Sequence, residues 1–185
     1  MLAGGRSSRF GRDKLAESIG GRPLLEHTID AVRPFASEML VVVAPGASPP
    51  VPPDVVLVRD PSPFEGPLAG LLAGLGVARE AIVLVTAGDM PELLPAVVEA
   101  LLAGLDEIDV DAAVLEHAGR PRPLPMATRR DPALAATASL IDAAERRLGS
   151  LLEALATTVI AEATWRALDP DGRSVRDIDT PGDLR

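Results

Sequence analysis

Three unbroken aliphatic runs set the strongest limit on what this chain can fold into. Residues 40–44 (LVVVA), 55–58 (VVLV) and 81–87 (AIVLVTA) hold almost no polar side chain and are bounded by turn residues. A strand with one wet face alternates apolar and polar residues. Runs without alternation suit strands covered on both faces, as in a parallel sheet between layers of helix. Helical segments are predicted between and after them, at 23–35, 67–78, 91–105, 134–147 and 150–155. Pro23, Pro67 and Pro91 each suit a first helical turn, where no backbone N–H is missed. The order βαβαβα predicts an α/β fold: three-layer αβα, Rossmann-like, with a mostly parallel sheet and right-handed crossovers.

The remaining segments read less sharply. Residues 44–53 (APGASPPVPP) form a stiff Pro-rich connection. Residues 110–115 predict a strand. Residues 119–130 predict a loop leading into a further strand, with Pro121, Pro123 and Pro125 keeping it extended. Short strands are expected at 157–161 and 174–178. The first strand is the anomaly. If Leu2-Ala3 ends it, only Met1 precedes, whereas strands usually run about five or six residues. The chain then begins mid-strand, or the true start codon lies upstream.

Composition removes several function classes. The 185 residues suit one domain. With one Trp, three Phe and no Tyr, the core is aliphatic and a base-stacking platform for nucleic acid is close to excluded. No Cys is present, which excludes disulfides, thiolate catalysis and Cys–zinc sites. No apolar run approaches the roughly 20 residues of a membrane span, and no secretory leader is visible, so the cytoplasm is the expected compartment. The net charge of −9 argues against a broad nucleic-acid-binding face. Yet Arg6, Arg9, Arg12 and Lys14, the single lysine, crowd the first fourteen residues against one acid, Asp13. A short basic segment on an acidic body points to a local anion site.

Four segments could carry chemistry. In the first, Leu2-Ala3-Gly4-Gly5 precedes Arg9 and Lys14; paired glycines let the backbone approach a ligand, and the cations suit phosphate. The spacing is neither a Walker loop nor G-x-G-x-x-G, and an ordinary Gly-rich turn with solvated Arg is an equally good account. In the second, Gly88-Asp89-Met90-Pro91 follows the third aliphatic run. Asp89 then stands at the carboxyl end of a buried strand, where open α/β sheets place ligands, and could hold Mg²⁺. On the residues alone, an N-cap for a helix starting at Pro91 carries more weight. In the third, Asp60 leads a Pro- and Gly-rich stretch into the helix from Pro67. It could meet a ribose or base, or be a solvated acid, while Gly70 and Gly74 read as packing glycines. In the fourth, Asp177 and Asp179 are two apart and would share one face of a strand; Thr180-Pro181 equally suits a capped helix start. His27 and His117 lack partners for a zinc site or triad, Trp165 reads as packing, and Ser7 and Ser8 have no nearby base.

Taken together and in order, LAGG-RSSRFG-RDK, DPSPFEGPLAG, GDMP and DIDTPGDL resemble the nucleotidyltransferases of the nucleotide-diphospho-sugar transferase fold. Within that group the chain is most similar to the molybdenum cofactor guanylyltransferase (MobA-type) family. Gly119 to Leu124, Arg129-Arg130 and 148–152 look like that family's acceptor-side region. The resemblance covers essentially the whole chain. It implies a nucleotide-binding part of about 1–105 and an acceptor-binding part of about 106–185. It implies that Leu2, Ala3, Gly4 and Gly5 cradle base and phosphates, that Arg9 and Lys14 meet phosphates, and that Asp60 is a base- or ribose-side acid. Asp89 would be the Mg²⁺ ligand and Asp179 a second one. The implied reaction transfers GMP from GTP to a molybdopterin-type cofactor and releases pyrophosphate. Molybdoenzymes or cofactor-delivery proteins are the implied docking partners, and neither nucleic acid nor a membrane is expected.

Gly4-Gly5 favours guanine modestly over cytosine. One departure is that the strand after the first helix often ends in Asn in the guanylyl family, whereas here it reads Val43-Ala44-Pro45-Gly46. Two rival readings remain open. One keeps the fold with a cytidylyl donor or another phosphorylated acceptor. The other is an inactive nucleotide-binding or accessory protein, motivated by the short first strand. Arg120, Arg122, Arg129 and Arg130 are the candidate cations for an anionic acceptor.

Overall fold

The computed structural model describes residues 1–4, 14–60, 66–178 and 183, with Lys14 described by its backbone. Its centre is a sheet that joins β3 (Met39–Val43) and β4 (Val55–Arg59) to β5 (Ile82–Val85), β7 (Arg120–Arg129), β6 (Ala112–His117) and β8 (Thr157–Ile160). β3 and β4 pair in parallel, as do β6 and β8. β7 runs antiparallel to both β5 and β6. Leu2 links the two halves through parallel bridges to Val42 on one side and Ala87 on the other. A hairpin of β1 (Ser18–Ile19) and β2 (Arg22–Pro23) lies ahead of the first helix.

Helices cover both faces, as the aliphatic runs demand. On one face α1 (Leu24–Val32), α3 (Pro95–Ala103) and α6 (Glu162–Leu168) bury Leu25, Ile29, Val97, Leu101 and Trp165 against Val41, Val43, Ala113 and Leu115. On the other, α2 (Pro67–Val77), α4 (Arg130–Asp142) and α5 (Leu148–Ala154) bury Leu68, Leu71, Ala133 and Leu151 against Ala112, Val114 and Met126. Consecutive residues of β6 therefore enter opposite cores, the period-2 signature of a strand with two apolar faces. The expected three-layer α/β architecture is the one observed.

Four local expectations need correction. Residues 120–129 form one ten-residue strand rather than a loop leading to one. The strand accommodates Pro123 and Pro125 through a register shift, while Pro121 stays opposite Glu116: Val114 pairs with Met126, but Leu115 pairs with Arg122. Residues 123–125 thus leave the ladder, where a missing N–H costs no sheet bond. The third helix starts at Pro95, not Pro91, because Met90 and Leu93 turn into the core and Ser174 Oγ accepts from Leu94 N at 3.1 Å. Residues 162–168, which the sequence reading leaves unassigned, form α6. Its Trp165 is fully buried and donates from Nε1 to Glu116 O at 2.6 Å.

The expected strand at 174–178 is instead a 3₁₀ turn, Arg173–Val175, followed by extended chain. Asp169 dictates this. Its carboxylate is buried and accepts from Ser174 N at 2.7 Å and Arg173 N at 3.0 Å. The turn delivers Ile178 N to Asp89 O at 3.0 Å. Desolvation raises the pKa of Asp169, but the hydrogen bonds from Ser174, Arg173 and Gly172 outweigh it and hold it below the ordinary carboxylate value. A depressed folded-state pKa stabilises the fold above the unfolded value and is lost as pH falls through the folded one. Asp169→Asn is therefore expected to cost about 1–3 kcal/mol at neutral pH. The gap from the unsubstituted protein should narrow below about pH 4. Urea unfolding of both proteins across that range checks this.

Candidate functional site

The site is assembled where the parallel strands end. Met1 to Ala3 is stitched on one side to β3 and on the other to the chain leaving β5. Val42 N donates to Met1 O at 2.9 Å and Ala3 N to Val42 O at 2.8 Å. Leu2 N donates to Thr86 O at 2.8 Å and Gly88 N to Leu2 O at 2.9 Å. Buried Thr28 of α1 donates from Oγ1 to Gly88 O at 2.9 Å, fixing the turn from behind. Gly88 has no room for a side chain. A Cβ there would sit 3.3 Å from both Leu15 and Leu25 and 3.4 Å from Ala3.

Two pockets flank this central segment. The larger, about 530 Å³, is lined by Leu2, Gly4, the end of β3 through Pro45, Asp60, and the start of α2 with Gly66 and Gly70. Among the described residues its walls are backbone-rich and aliphatic, with Asp60 as the charged group. Asp60 is held by its own N–H, which donates to Val43 O at 3.0 Å. Packing explains Gly74, where a Cβ would lie 3.0 Å from Val42 Cγ2. Gly70 does more than pack, because it also lines the pocket. The 43–45 segment, the stretch that departs from the expected Asn, forms wall here with aliphatic side chains and backbone.

The second pocket, about 280 Å³, is lined by Ala87, Asp89, Arg122, Pro123, Leu124, Leu148 and Asp177. Asp89 lies in the turn after β5 and does not cap a helix, since α3 begins six residues later. The displaced residues of β7 form the opposite wall. Arg122 Nη2 donates to Asp177 Oδ2 at 2.7 Å and Arg122 Nε to Leu124 O at 2.9 Å.

The sequence-derived candidates sort as follows. Leu2 and Gly4 meet Asp60 in the larger pocket, Ala3 is the stitched residue between the pockets, and Asp89 stands in the smaller one. Gly5, Arg9, the Lys14 side chain and Asp179 lie outside the described residues. Of the four candidate arginines, Arg122 alone lines a pocket described here. Arg129 instead donates to Val110 O and Leu105 O, both at 2.9 Å. Arg130 donates to Leu75 O and to Asp131. Both are structural props at helix and strand ends. The sequence reading missed the Arg122–Asp177 pair, for which the repeated Arg-Pro of 120–123 was the available signal.

No three His, Asp or Glu side chains gather into a metal cage among the described residues. Asp89 presents a hard carboxylate donor at a strand end. That suits an ion taking most of its shell from phosphate oxygens and water.

Comparison with known proteins supplies the family and the fold. The family model described as MobA-like NTP transferase domain matches residues 1–159. A Chloroflexus aggregans protein named "Probable molybdenum cofactor guanylyltransferase" is 36% identical over all of this chain and 90% of its own length. A protein of the same name from Natronomonas pharaonis is 32% identical over all of this chain and 93% of its own. Among solved structures, molybdopterin-guanine dinucleotide biosynthesis protein A from Archaeoglobus fulgidus superposes with a TM-score of 0.78 at 24% identity, covering 99% of this chain and 92% of that one. The 2-C-methyl-D-erythritol 4-phosphate cytidylyltransferase of Thermus thermophilus gives 0.72 at 22% identity, covering 99% and 93%. At those identities the structures establish the shared fold.

Gly66 offers a test of the larger pocket. It has φ +92°, and a Cβ would fall 3.0 Å from Arg146 O in the turn between α4 and α5. Gly66→Ala is expected to cost about 1–3 kcal/mol of strain and to displace the start of α2 from the pocket rim. Urea unfolding should report the loss, and calorimetry with GTP a weaker affinity.

Proposed function

The chain belongs to the MobA-like NTP transferase domain family, and from that premise we propose that it transfers GMP from GTP to a molybdopterin-type cofactor and releases pyrophosphate. The observation that carries this reading is the pair of pockets on either side of Leu2–Gly4 at the strand ends, the smaller one holding Asp89. The guanylyl choice is supported by relatives above 30% identity that are named for it; fold likeness alone embraces a cytidylyltransferase as well. The described residues lining the larger pocket all come from the proposed nucleotide-binding part, about 1–105. The smaller one mixes Ala87 and Asp89 with residues of the acceptor-binding part, about 106–185.

In this reading the larger pocket takes the nucleoside. Leu2 and Gly4 lie along it without bulk, and Asp60 accepts from the base or ribose. Arg9 and Lys14 neutralise the triphosphate as a fork and as a mobile point charge. Asp89 would hold Mg²⁺, with Asp179 as the second proposed ligand. When bound, the ion neutralises charge on the phosphates. An acceptor phosphate oxygen forms the new bond to the α-phosphorus, and the bond from that phosphorus to the β-bridging oxygen breaks. The departing electron pair leaves with pyrophosphate. The acceptor oxygen is already anionic at neutral pH, so no side-chain base is required. The protein's contribution is orientation and charge compensation. No helix among the described residues is long and apolar enough to cross a membrane; the cytoplasm is the compartment proposed, with molybdoenzymes or cofactor-delivery proteins as recipients.

The test is turnover with each nucleoside triphosphate, Mg²⁺ and molybdopterin-type acceptor. GTP is expected to be preferred, and preference for CTP would overturn the guanylyl assignment. Asp89→Asn should abolish metal-dependent transfer while leaving thermal unfolding unchanged; near-normal rates would remove Asp89 as the ligand. Lys14→Ala should weaken GTP binding by roughly tenfold, as expected for one lost charge-assisted contact. Calorimetry measures it directly.

A further inference from the structure

The smaller pocket holds a charge arrangement that the nucleotide does not account for. Its described wall carries two carboxylates, Asp89 and Asp177, and one cation, Arg122. A dianionic phosphate entering beside two carboxylates meets repulsion unless a fixed positive group faces it. Arg122 is fixed. Its Nε is tied to Leu124 O within the displaced stretch of β7, and its Nη2 to Asp177 Oδ2 in the segment that ends on Asp89. Two anchors from different elements set the plane of the guanidinium. A guanidinium has five N–H donors, and these two bonds use two of them. The group is about one-quarter exposed, so it is neither sealed in the core nor loose in solvent.

We propose that Arg122 is the residue that binds the phosphate of the acceptor. The inference rests on the transferase reading given above and deepens it by naming a contact on the acceptor side. The N–H groups outside the two anchors present a planar fork suited to two oxygens of one phosphate. The guanidinium keeps its charge at any working pH. Asp177 holds one edge of the fork through Nη2. The aliphatic remainder of the wall, Leu124 and Leu148 with Pro123, suits an organic body behind that phosphate.

Steady-state kinetics with molybdopterin as varied acceptor, and separately with GTP as varied donor, decide the matter. Arg122→Gln is expected to raise the acceptor KM about tenfold or more, the scale of a charged bidentate contact, and to leave the GTP KM within about twofold, the scale of a peripheral change. Arg122→Lys keeps charge but loses the fork and the Nε anchor, and should fall between the two proteins. It also carries the test if Arg122→Gln does not unfold cooperatively. An acceptor KM unchanged in the folded variants, with only a lower melting temperature, would overturn the assignment and leave Arg122 a structural clip. Equal rises in both KM values would also overturn it. Absence of GMP transfer by the unsubstituted protein would instead overturn the transferase reading, and this inference with it.

Discussion

Everything at the functional end of this molecule hangs on three residues held in mid-sheet. Met1, Leu2 and Ala3 exchange backbone hydrogen bonds with Val42 on one side and with Thr86 and Gly88 on the other. That stitching joins a parallel pair of strands to a mixed four-stranded group. It also fixes the floor between two pockets, because the same residues that close the sheet line its open end. Backbone bonds of this kind are individually modest, about 1 kcal/mol net. Their effect here is geometric: they leave Gly4 and the turn at Asp89 no freedom to separate.

From that floor outward, each wall is set by a different local device. β3 ends in an aliphatic segment that continues as pocket wall through Pro45. α2 begins at a positive-φ glycine pressed against Arg146 O, so the helix start cannot drift toward the turn between α4 and α5. That turn is itself organised by Glu145, which accepts from the Arg147 side chain, from Arg147 N and Arg146 N, and from Ser150 Oγ. These bonds hold its carboxyl well below the usual carboxylate range, led by the Arg147 side chain. β7 leaves its ladder at 123–125, where Pro123 and Pro125 have no N–H to give, and Pro123 and Leu124 there share a pocket with Asp89.

Those devices explain what could be read in advance. The strands at 40–44 and 55–58 were legible because continuous aliphatic runs have few other uses, and the structure keeps them within one residue. The layering followed from the same runs. β7 was not legible as a strand of full length, because Pro121, Pro123 and Pro125 argue against a ladder unless the partner supplies a shift in register, which only β6 reveals. The start of α3 was misplaced because Pro91 is a good first-turn residue locally, while the burial of Met90 and Leu93 is a tertiary fact. The tail at 174–178 alternates plausibly as a strand, but Asp169 first captures the N–H groups of Arg173 and Ser174 at its start.

The site divides along the same line. Asp60 and Asp89 follow strands that the sequence announces, and strand ends in an open α/β sheet converge on one edge, which is why both fall on pocket walls with Leu2 and Gly4 between them. Arg122 and Asp177 stand 55 residues apart, and nothing in their spacing brings them together. Four arginines looked equivalent in the sequence; two of them are spent on the carbonyls of Leu105, Val110 and Leu75. An anion site is therefore not a count of cations. It is the cation whose donors are held short of satisfaction by its own anchors, and in this fold the anchors of Arg122 come from the two elements that also frame Asp89. The smaller pocket is thus built where β7 leaves its ladder and the 176–178 segment meets the turn after β5, whereas the larger one opens at the ends of β3 and β4.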